Sequence, residues 1–378
     1  MTLYDVARLA GVSTATVSRV IHGQDRVRDT TRARVQQVIE QLGYVPDGAA
    51  QSLSRRRKNV IGLVCVERQS PTEQYDIESM SLLFYDQILR GVEARIRDSS
   101  WSLLITYLRE SREAGDPDLR RLLKLSGQVD GLLIGEGIVP SGAIATLARR
   151  LPVVVVAGSP SERAADVVTA DNRAGSAALA AHLIVDHGKR RLYHVDGPPS
   201  APDAMERRTA LSGLVAATPG CQIVGSSQGL FTIRSGEEAA AHLLATCGDV
   251  LPDAVVCAND EMAIGVLQAF ARAGVRVPEQ VAVVGFDDMF PASLYDPPLT
   301  TVHQPMRLLA ERACTRLLSR IARPGLRPKV ELLPTELVLR ASCGCPPGTV
   351  TRRLVPPLRS SRATLIQPRS PRASAVAG

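Results

Sequence analysis

This chain lacks two short signatures of common catalysis: it contains no P-loop and no H-E-x-x-H. His182, His187, His194 and His242 fall on apparent helices or strand edges without catalytic partners suggested by sequence, so no triad for nucleophilic catalysis is visible. No enzymatic activity is expected. No apolar run approaches the roughly 20 residues that a membrane-spanning helix needs. The first residues lead straight into a capped helix without a signal-peptide pattern, so a cytoplasmic protein with no membrane partner is expected. The seven cysteines are odd in number and scattered, which fits reduced thiols. Cys343 and Cys345 are the one close pair. A zinc site would need two more ligands nearby, and the flanking sequence offers none. The pair therefore reads as a loop with two free thiols, and neither metal nor cofactor is expected.

Acidic residues are scarce at both ends. Residues 1–58 carry ten Lys or Arg against five acids, a net of +5. Residues 346–378 carry six Arg and no acid. The overall charge is +7, so the middle is acidic, at −4. A basic head on an acidic body points to a polyanionic partner at the head. The tail is rich in Pro, Ser, Arg and Ala without helical periodicity and reads as disordered.

The head contains the most informative segment. Thr2 and Asp5 form a capping-box pattern, and Leu3, Val6, Ala7 and Ala10 follow at helical spacing. Gly11 ends this first helix. Ser13 can cap a second helix whose buried face holds Val17, Val20 and Ile21. Thr14, Ala15, Thr16, Ser18, Arg19 and His22, with Arg26 just beyond, are then the candidates for contacting DNA. Short polar groups and one Arg at the start of a second helix suit base-edge reading in a major groove. A third helix follows with Val35, Val38, Ile39 and Leu42 in phase, and Gly43 stops it.

From Asn59 the pattern becomes alternating strands and helices. Apolar runs at 60–66, 103–107, 131–134, 153–157, 191–195, 254–257 and 281–286 read as strands. Amphipathic stretches at 86–96, 174–185, 237–244 and 262–271 read as helices. Strand–helix alternation with strands apolar throughout implies buried parallel sheets covered by helices, here in two lobes. Ligands of such sheets bind beyond the carboxyl ends of the strands. That singles out Asn259-Asp260 after one strand and Asp287-Asp288 after another.

These segments, from Thr2 to about Arg340, resemble the LacI/GalR family of bacterial repressors. The resemblance implies an α/β fold: an N-terminal helix-turn-helix three-helix domain, then a two-lobed periplasmic-binding-protein-like core with parallel sheets. The chain would cross between lobes near Val168, Thr301 and Pro334. The expected organisation is a helix-turn-helix domain at 1–45, a hinge helix and basic linker at 46–58, a two-lobed effector-binding and dimerisation domain at 59–345, and a disordered basic tail at 346–378. Residues 47–53 match the family's hinge helix, with Ala50 and Leu53 expected on DNA and Leu53 wedged into the minor groove. A helix this short is marginal alone in water.

By the same resemblance, Asn259 and Asp287 reach a small-molecule effector, joined by Arg207, Phe231, Gln304 and the first-lobe aromatics Phe84 and Tyr85. Taken without the family, Asp287 also suits a turn or cap, Arg207 a surface ion pair and Phe231 plain core. The chain departs from the family at several positions. Ala157-Gly158 replaces a common Asp-Arg, which weakens the case for an ordinary sugar. Leu211 stands where an aromatic is common, His22 replaces the usual Asn, and Arg28 replaces a capping Ser whose role Asp29 could take. Residues 67–83 are longer than the usual loop. Prolines at 346, 347, 356, 357, 368 and 371 break any C-terminal heptad helix, so a homodimer is expected. The function implied is a repressor of near-palindromic double-stranded DNA, controlled by a sugar or nucleoside-like ligand. The alternative is a solute-binding protein without a transcriptional role.

Overall fold

The computed structural model describes residues 1–21, 27–44, 57–67, 82–109, 116–135, 137–248, 250–348 and 350–357. Two compact units emerge, Met1–Val60 and Ile61–Gly378.

The first unit holds α1 (Leu3–Ala10), α2 (Thr14–Ile21) and α3 (Asp29–Leu42). The Thr2–Asp5 capping box forms as its sequence pattern requires, and Gly11 closes α1 in the left-handed conformation at φ 61°. Val6, Ala7, Ala10, Val17, Val20 and Val35 are buried together, with Ile21, Val38, Ile39 and Leu42 packed around them. One local expectation is corrected. Arg28 occupies the N-cap of α3 without a side-chain bond, and Asp29 sits in the first turn instead of capping. There it faces the positive end of the helix dipole, where an acid is stabilising without being a cap.

The second unit has two lobes. Lobe 1 is built on β1 (Val60–Glu67), β2 (Ser102–Arg109), β3 (Gly131–Gly135), β4 (Val153–Val156), β5 (Asp166–Ala170) and β11 (Val330–Leu333), in the order β11-β5-β4-β3-β1-β2. The pairings β1–β3, β3–β4, β4–β5 and β5–β11 are parallel. Helices α4 (Leu82–Ile96), α5 (Pro117–Leu125), α6 (Ser141–Ala148) and α11 (Met306–Ala322) belong to this lobe. α4 and α11 supply Ile88, Val92, Leu309, Ala313 and Leu317 to its core.

Lobe 2 has the parallel sheet β7-β6-β8-β9, from β6 (Arg191–Asp196), β7 (Gln222–Gln228), β8 (Ala254–Cys257) and β9 (Ala282–Val284). Its helices are α7 (Asn172–Ala181), α8 (Pro202–Ala217), α9 (Ile233–Cys247) and α10 (Asp260–Arg272). α9 and α10 touch through backbone: a Cβ on Gly236 would lie 2.1 Å from the Met262 carbonyl, and one on Gly265 would lie 2.0 Å from that of Ile233. A side chain at either glycine would drive the helices apart.

β10 (Thr301–His303), β12 (Glu336–Leu339) and β13 (Thr351–Leu354) form a separate antiparallel sheet. The chain passes between lobes after β5, after β10 and between β11 and β12, close to the three crossings inferred from the resemblance. β13 requires a correction. Residues 351–354 fall in the stretch read as disordered tail, yet they pair with β12 from Leu339↔Thr351 to Glu336↔Leu354. The four-residue strand was hidden by its polar sequence, Thr-Arg-Arg-Leu, because its pairing partner supplies the order. Residues 68–81, most of the long loop, and 358–378 lie outside the described residues. Among the described residues no helix is long and apolar enough to cross a membrane.

Candidate functional site

In the first unit, Ser13 caps α2. Its Oγ accepts from the Thr16 backbone N–H at 3.2 Å and lies 3.0 Å from the Thr16 hydroxyl. Thr16 is thus engaged in the cap. Ala15 and Arg19 are exposed, Thr14 and Ser18 are half-exposed, and Val17 and Val20 point into the core. The helix therefore presents Thr14, Ala15, Ser18 and Arg19 on one accessible side. His22, Arg26, Ala50 and Leu53 lie outside the described residues.

In lobe 2, the end of β9 turns through two consecutive carboxylates with positive φ, 125° at Asp287 and 57° at Asp288. Non-glycine residues held there carry strain that the surroundings must offset, a condition that clusters at functional sites. The two side chains have different partners. Asp287 is buried and accepts a 2.6 Å bond from the Gln304 amide, while the Arg207 guanidinium stands 3.7 Å away. Asp288 instead binds Arg340 at 2.5 Å and Arg352 at 2.6 Å, with His303 Nδ1 at 3.2 Å. Burial raises the carboxyl of Asp288, but hydrogen bonds from His303 and Arg340 outweigh it and hold it below the ordinary value. Burial pushes Asp287 up to about 7; Asp203 adds to that, and Arg207 and Gln304 pull the other way without prevailing.

Arg207 is held firmly at Nε and Nη1. It rises from α8 and donates from Nε to Asn172 Oδ1 at 2.9 Å and from Nη1 to the Ala258 carbonyl at 2.6 Å. Asp203, one turn earlier, lies 3.2 Å from Nη2, and the guanidinium carbon sits 3.8 Å over the Phe286 ring. It is 3% exposed, which decides against the surface ion-pair reading. Arg207, Asp287 and Gln304 come together at the lobe-2 strand ends.

Other candidates are placed differently. Asn259 Oδ1 caps α10 by accepting from the Met262 N–H at 3.0 Å, and its Nδ2 donates to the Phe231 carbonyl at 3.2 Å. Phe231 has φ 61° and is buried in the lobe-2 core, filling the space over Gly197. Leu211 is also core. In lobe 1 the Tyr85 hydroxyl accepts from the Val66 N–H at 3.1 Å, at the carboxyl end of β1, and Phe84 packs edge-on against Tyr85 at 5.3 Å. A cavity of about 620 Å³ opens between the lobes, lined by Leu83 and Gln87 from α4, Met289 and Phe290 after β9, and Gln304 and Arg307 at the crossing. A second, of about 460 Å³, lies between Gly137, Gly158 and Glu162 of lobe 1 and Pro199 and Ser200 of lobe 2. Gly158, one of the departures from the family pattern, borders this second cavity.

Asp260 gains a role that its sequence neighbourhood does not reveal. It is fully buried, with Thr301 Oγ1 2.6 Å from Oδ1 and the Met289 N–H donating to Oδ2 at 2.9 Å. Burial, reinforced by Asp287, raises its carboxyl well above the usual range. It ties α10 to the β10 crossing, next to the candidate cleft.

Comparison with known proteins follows the same division. The description "Bacterial regulatory proteins, lacI family" matches residues 2–47, and "Periplasmic binding protein-like domain" matches residues 180–343. The Ribose operon repressor of Escherichia coli (strain K12) is 34% identical over 351 residues, 90% of this chain and 99% of that protein. The chain belongs to the LacI family. The HTH-type transcriptional repressor PurR of Pasteurella multocida (strain Pm70) is 31% identical over 347 residues, 90% of this chain and 98% of that one. The lac repressor dimer bound to operator and the anti-inducer ONPF superposes with a TM-score of 0.78 at 26% identity, over 91% of this chain and 99% of that one. A LacI-type DNA-binding head on this core makes the protein a transcriptional regulator, not a solute-binding protein. These relatives are transcriptional repressors.

The cysteine pair needs a further correction. The sequence reading gives Cys343 and Cys345 no further ligands and assigns no metal site. The folded chain brings His182 and His187 to them, and one ligand atom from each of the four residues lies within 4.8 Å of all the others. The histidines stand about 160 positions earlier, at the end of α7, so no local spacing could reveal them.

Proposed function

We propose that this LacI-family regulator is a homodimeric repressor whose helix α2 reads a near-palindromic operator and whose interlobe cleft binds a small, polar, hydroxylated effector. Arg207, Asp287 and Gln304 carry the effector reading. A buried carboxylate paired with a guanidinium and an amide offers both acceptors and donors to hydroxyl groups, and leaving any of them unmatched costs about 1–3 kcal/mol. Tyr85 supports the reading from lobe 1, where its hydroxyl sits at the carboxyl end of β1 beside the Val66 N–H. Ala157 and Gly158 supply no carboxylate from lobe 1, so selectivity rests on lobe 2. The ligand acts by binding one lobe arrangement better than the other, and the head follows through the hinge. Residues Ala50 and Leu53 would enter the minor groove there, and twofold pairing would set two half-sites one or more helical turns apart. The reading includes no catalytic step, and it places the protein with its DNA in the cytoplasm.

The test is a thermal-shift screen of sugars, nucleosides and polyols, followed by operator binding with and without the hit. Asp287→Ala should keep operator affinity and lose the effector response. A mutant responding at the wild-type effector concentration would remove Asp287 from the site.

A further inference from the structure

Lobe 2 contains a cluster of ligand-type side chains that the effector reading does not use. His182 opens a π-helical turn, His182–Asp186, at the end of α7, and His187 closes it by donating its N–H to the His182 carbonyl at 3.2 Å. This i→i+5 bond sets the two imidazoles together, with ring centroids 4.6 Å apart. Opposite them, Cys343 ends a 3₁₀ turn, Ala341–Cys343, and Cys345 follows Gly344. Gly344 has φ 104°, which a side chain would resist, and this turn aims both thiols at the imidazoles.

The distances are those of a coordination shell. His182 Nε2 lies 3.1 Å from His187 Nε2, 3.4 Å from Cys343 Sγ and 3.5 Å from Cys345 Sγ. Cys345 Sγ lies 3.5 Å from His187 Nε2. A tetrahedral ion with Zn–S of about 2.3 Å and Zn–N of about 2.0–2.1 Å has N–S edges of about 3.5 Å and N–N edges of about 3.3 Å. Hydrogen bonding does not account for the same arrangement. One imidazole nitrogen carries either one proton or one lone pair, yet His182 Nε2 faces three heteroatoms of the cluster at once. A cation at the centre satisfies all four groups. The outer contact also fits. His182 Nδ1 lies 2.8 Å from Asp186 Oδ2, so Nδ1–H donates to the carboxylate and leaves the Nε2 lone pair for the metal.

We propose that His182, His187, Cys343 and Cys345 bind one Zn²⁺ ion in a structural site of lobe 2. Four protein ligands fill a tetrahedral shell and leave no open position for a reacting water. Two thiolates with two imidazoles in tetrahedral array select zinc over the harder divalent ions. The ion joins the first helix of lobe 2 to the segment between β12 and β13. That segment begins beside Arg340, which holds Asp288, and the Cys343 thiol also lies 3.1 Å from the Thr300 hydroxyl at the start of the β10 crossing. Zinc therefore staples the lobe where two of its strands cross to the other lobe, and binding energy there becomes folding energy.

The test uses the untagged full-length chain. Elemental analysis of the purified protein should give one zinc per chain. After chelation, added Co²⁺ should produce the intense visible bands of tetrahedral cobalt with thiolate-to-metal charge transfer. Cys345→Ser and His187→Asn, at the partly exposed side of the cluster, should lose that spectrum while keeping the fold by circular dichroism. Asp186→Asn should bind roughly 10–100-fold more weakly, as loss of an outer-shell partner does. Chelation should lower the melting temperature of the wild type and leave that of Cys345→Ser unchanged. A wild-type chain without stoichiometric zinc that takes up no tetrahedral cobalt would overturn the assignment. So would cobalt spectra unaltered in both variants.

Discussion

Arg207 faces Asp287 across 3.7 Å at the lobe-2 strand ends, and neither residue is more than 3% exposed. The pair lies at the strand ends where open parallel sheets take their ligands. Its carboxylate has Gln304 as a firm partner at 2.6 Å, whereas the guanidinium directs its shorter bonds to Asn172 and Ala258. A ligand hydroxyl can therefore add to the carboxylate without dismantling the scaffold that holds Arg207.

On the proposed effector site, binding should depend on pH. Asp287 titrates at about 7 in the folded protein, against an ordinary value of 3.8. Hydroxyls donating to it favour the ionised form, so affinity should rise as pH increases through about 7. Titration calorimetry across that range checks the slope, and Asp287→Asn should flatten it. The stability of the unliganded protein should run the other way. A folded-state pKa raised by burial contributes stability below the unfolded value, and that contribution is lost as pH rises through the folded value. A wild-type affinity flat across this range would contradict the role given to Asp287.

The parts of the chain legible in its sequence are those with strong local patterns. The Thr2–Asp5 box, Gly11 and the Val6–Ala7–Ala10 face specify α1 by capping and period alone. Strands such as Val153–Val156, apolar throughout, announce a buried parallel sheet. The rest depends on partners distant in sequence. β13 is ordered by β12. Asn259 and Asp260 look alike as a strand-end pair, but one caps a helix and the other anchors a crossing strand. The histidine–cysteine cluster joins positions about 160 apart, which only the fold brings together.

Asp260 and Thr301 should prove coupled in stability. Thr301→Val removes the hydroxyl beside a fully buried carboxyl and should cost about 1–3 kcal/mol. Urea unfolding should show a lower midpoint with an unchanged slope. The double variant Asp260→Asn with Thr301→Val should lose less than the sum of the singles, because the two groups share one bond. Strict additivity would mean that the contact carries no energy.

The basic tail should divide into two functional parts. Truncation after residue 357 removes only residues outside the described structure and should leave the melting temperature unchanged. Truncation after residue 345 also removes β13 and with it Arg352, which lies 2.6 Å from Asp288. That pair is half-exposed on the Arg352 side, so it contributes no more than about 1 kcal/mol, with the four-residue strand adding to it. A drop of a few degrees is expected for the longer truncation. Equal melting temperatures for the two truncations would show that β13 contributes nothing.

The reading helix offers the most direct measurement. Arg19 is an exposed long donor on α2, beside the short side chains of Ala15 and Ser18. A guanidinium there can bond two acceptors of a guanine edge, a contact worth about 1–3 kcal/mol of discrimination. Arg19→Ala should therefore weaken the cognate operator by that amount and relax preference at one or two base pairs. Val17 and Val20 remain in the core of the three-helix unit, so the fold should persist. Arg56→Ala provides the contrast. It falls in the basic run 55–58, among residues outside the described structure, and its charge suits phosphate. That variant should weaken every sequence alike and reduce the slope of log affinity against log salt by about one. A binding-site selection on both variants separates the roles. If Arg19→Ala selects the same sites as the wild type, α2 is not the element that reads bases through Arg19.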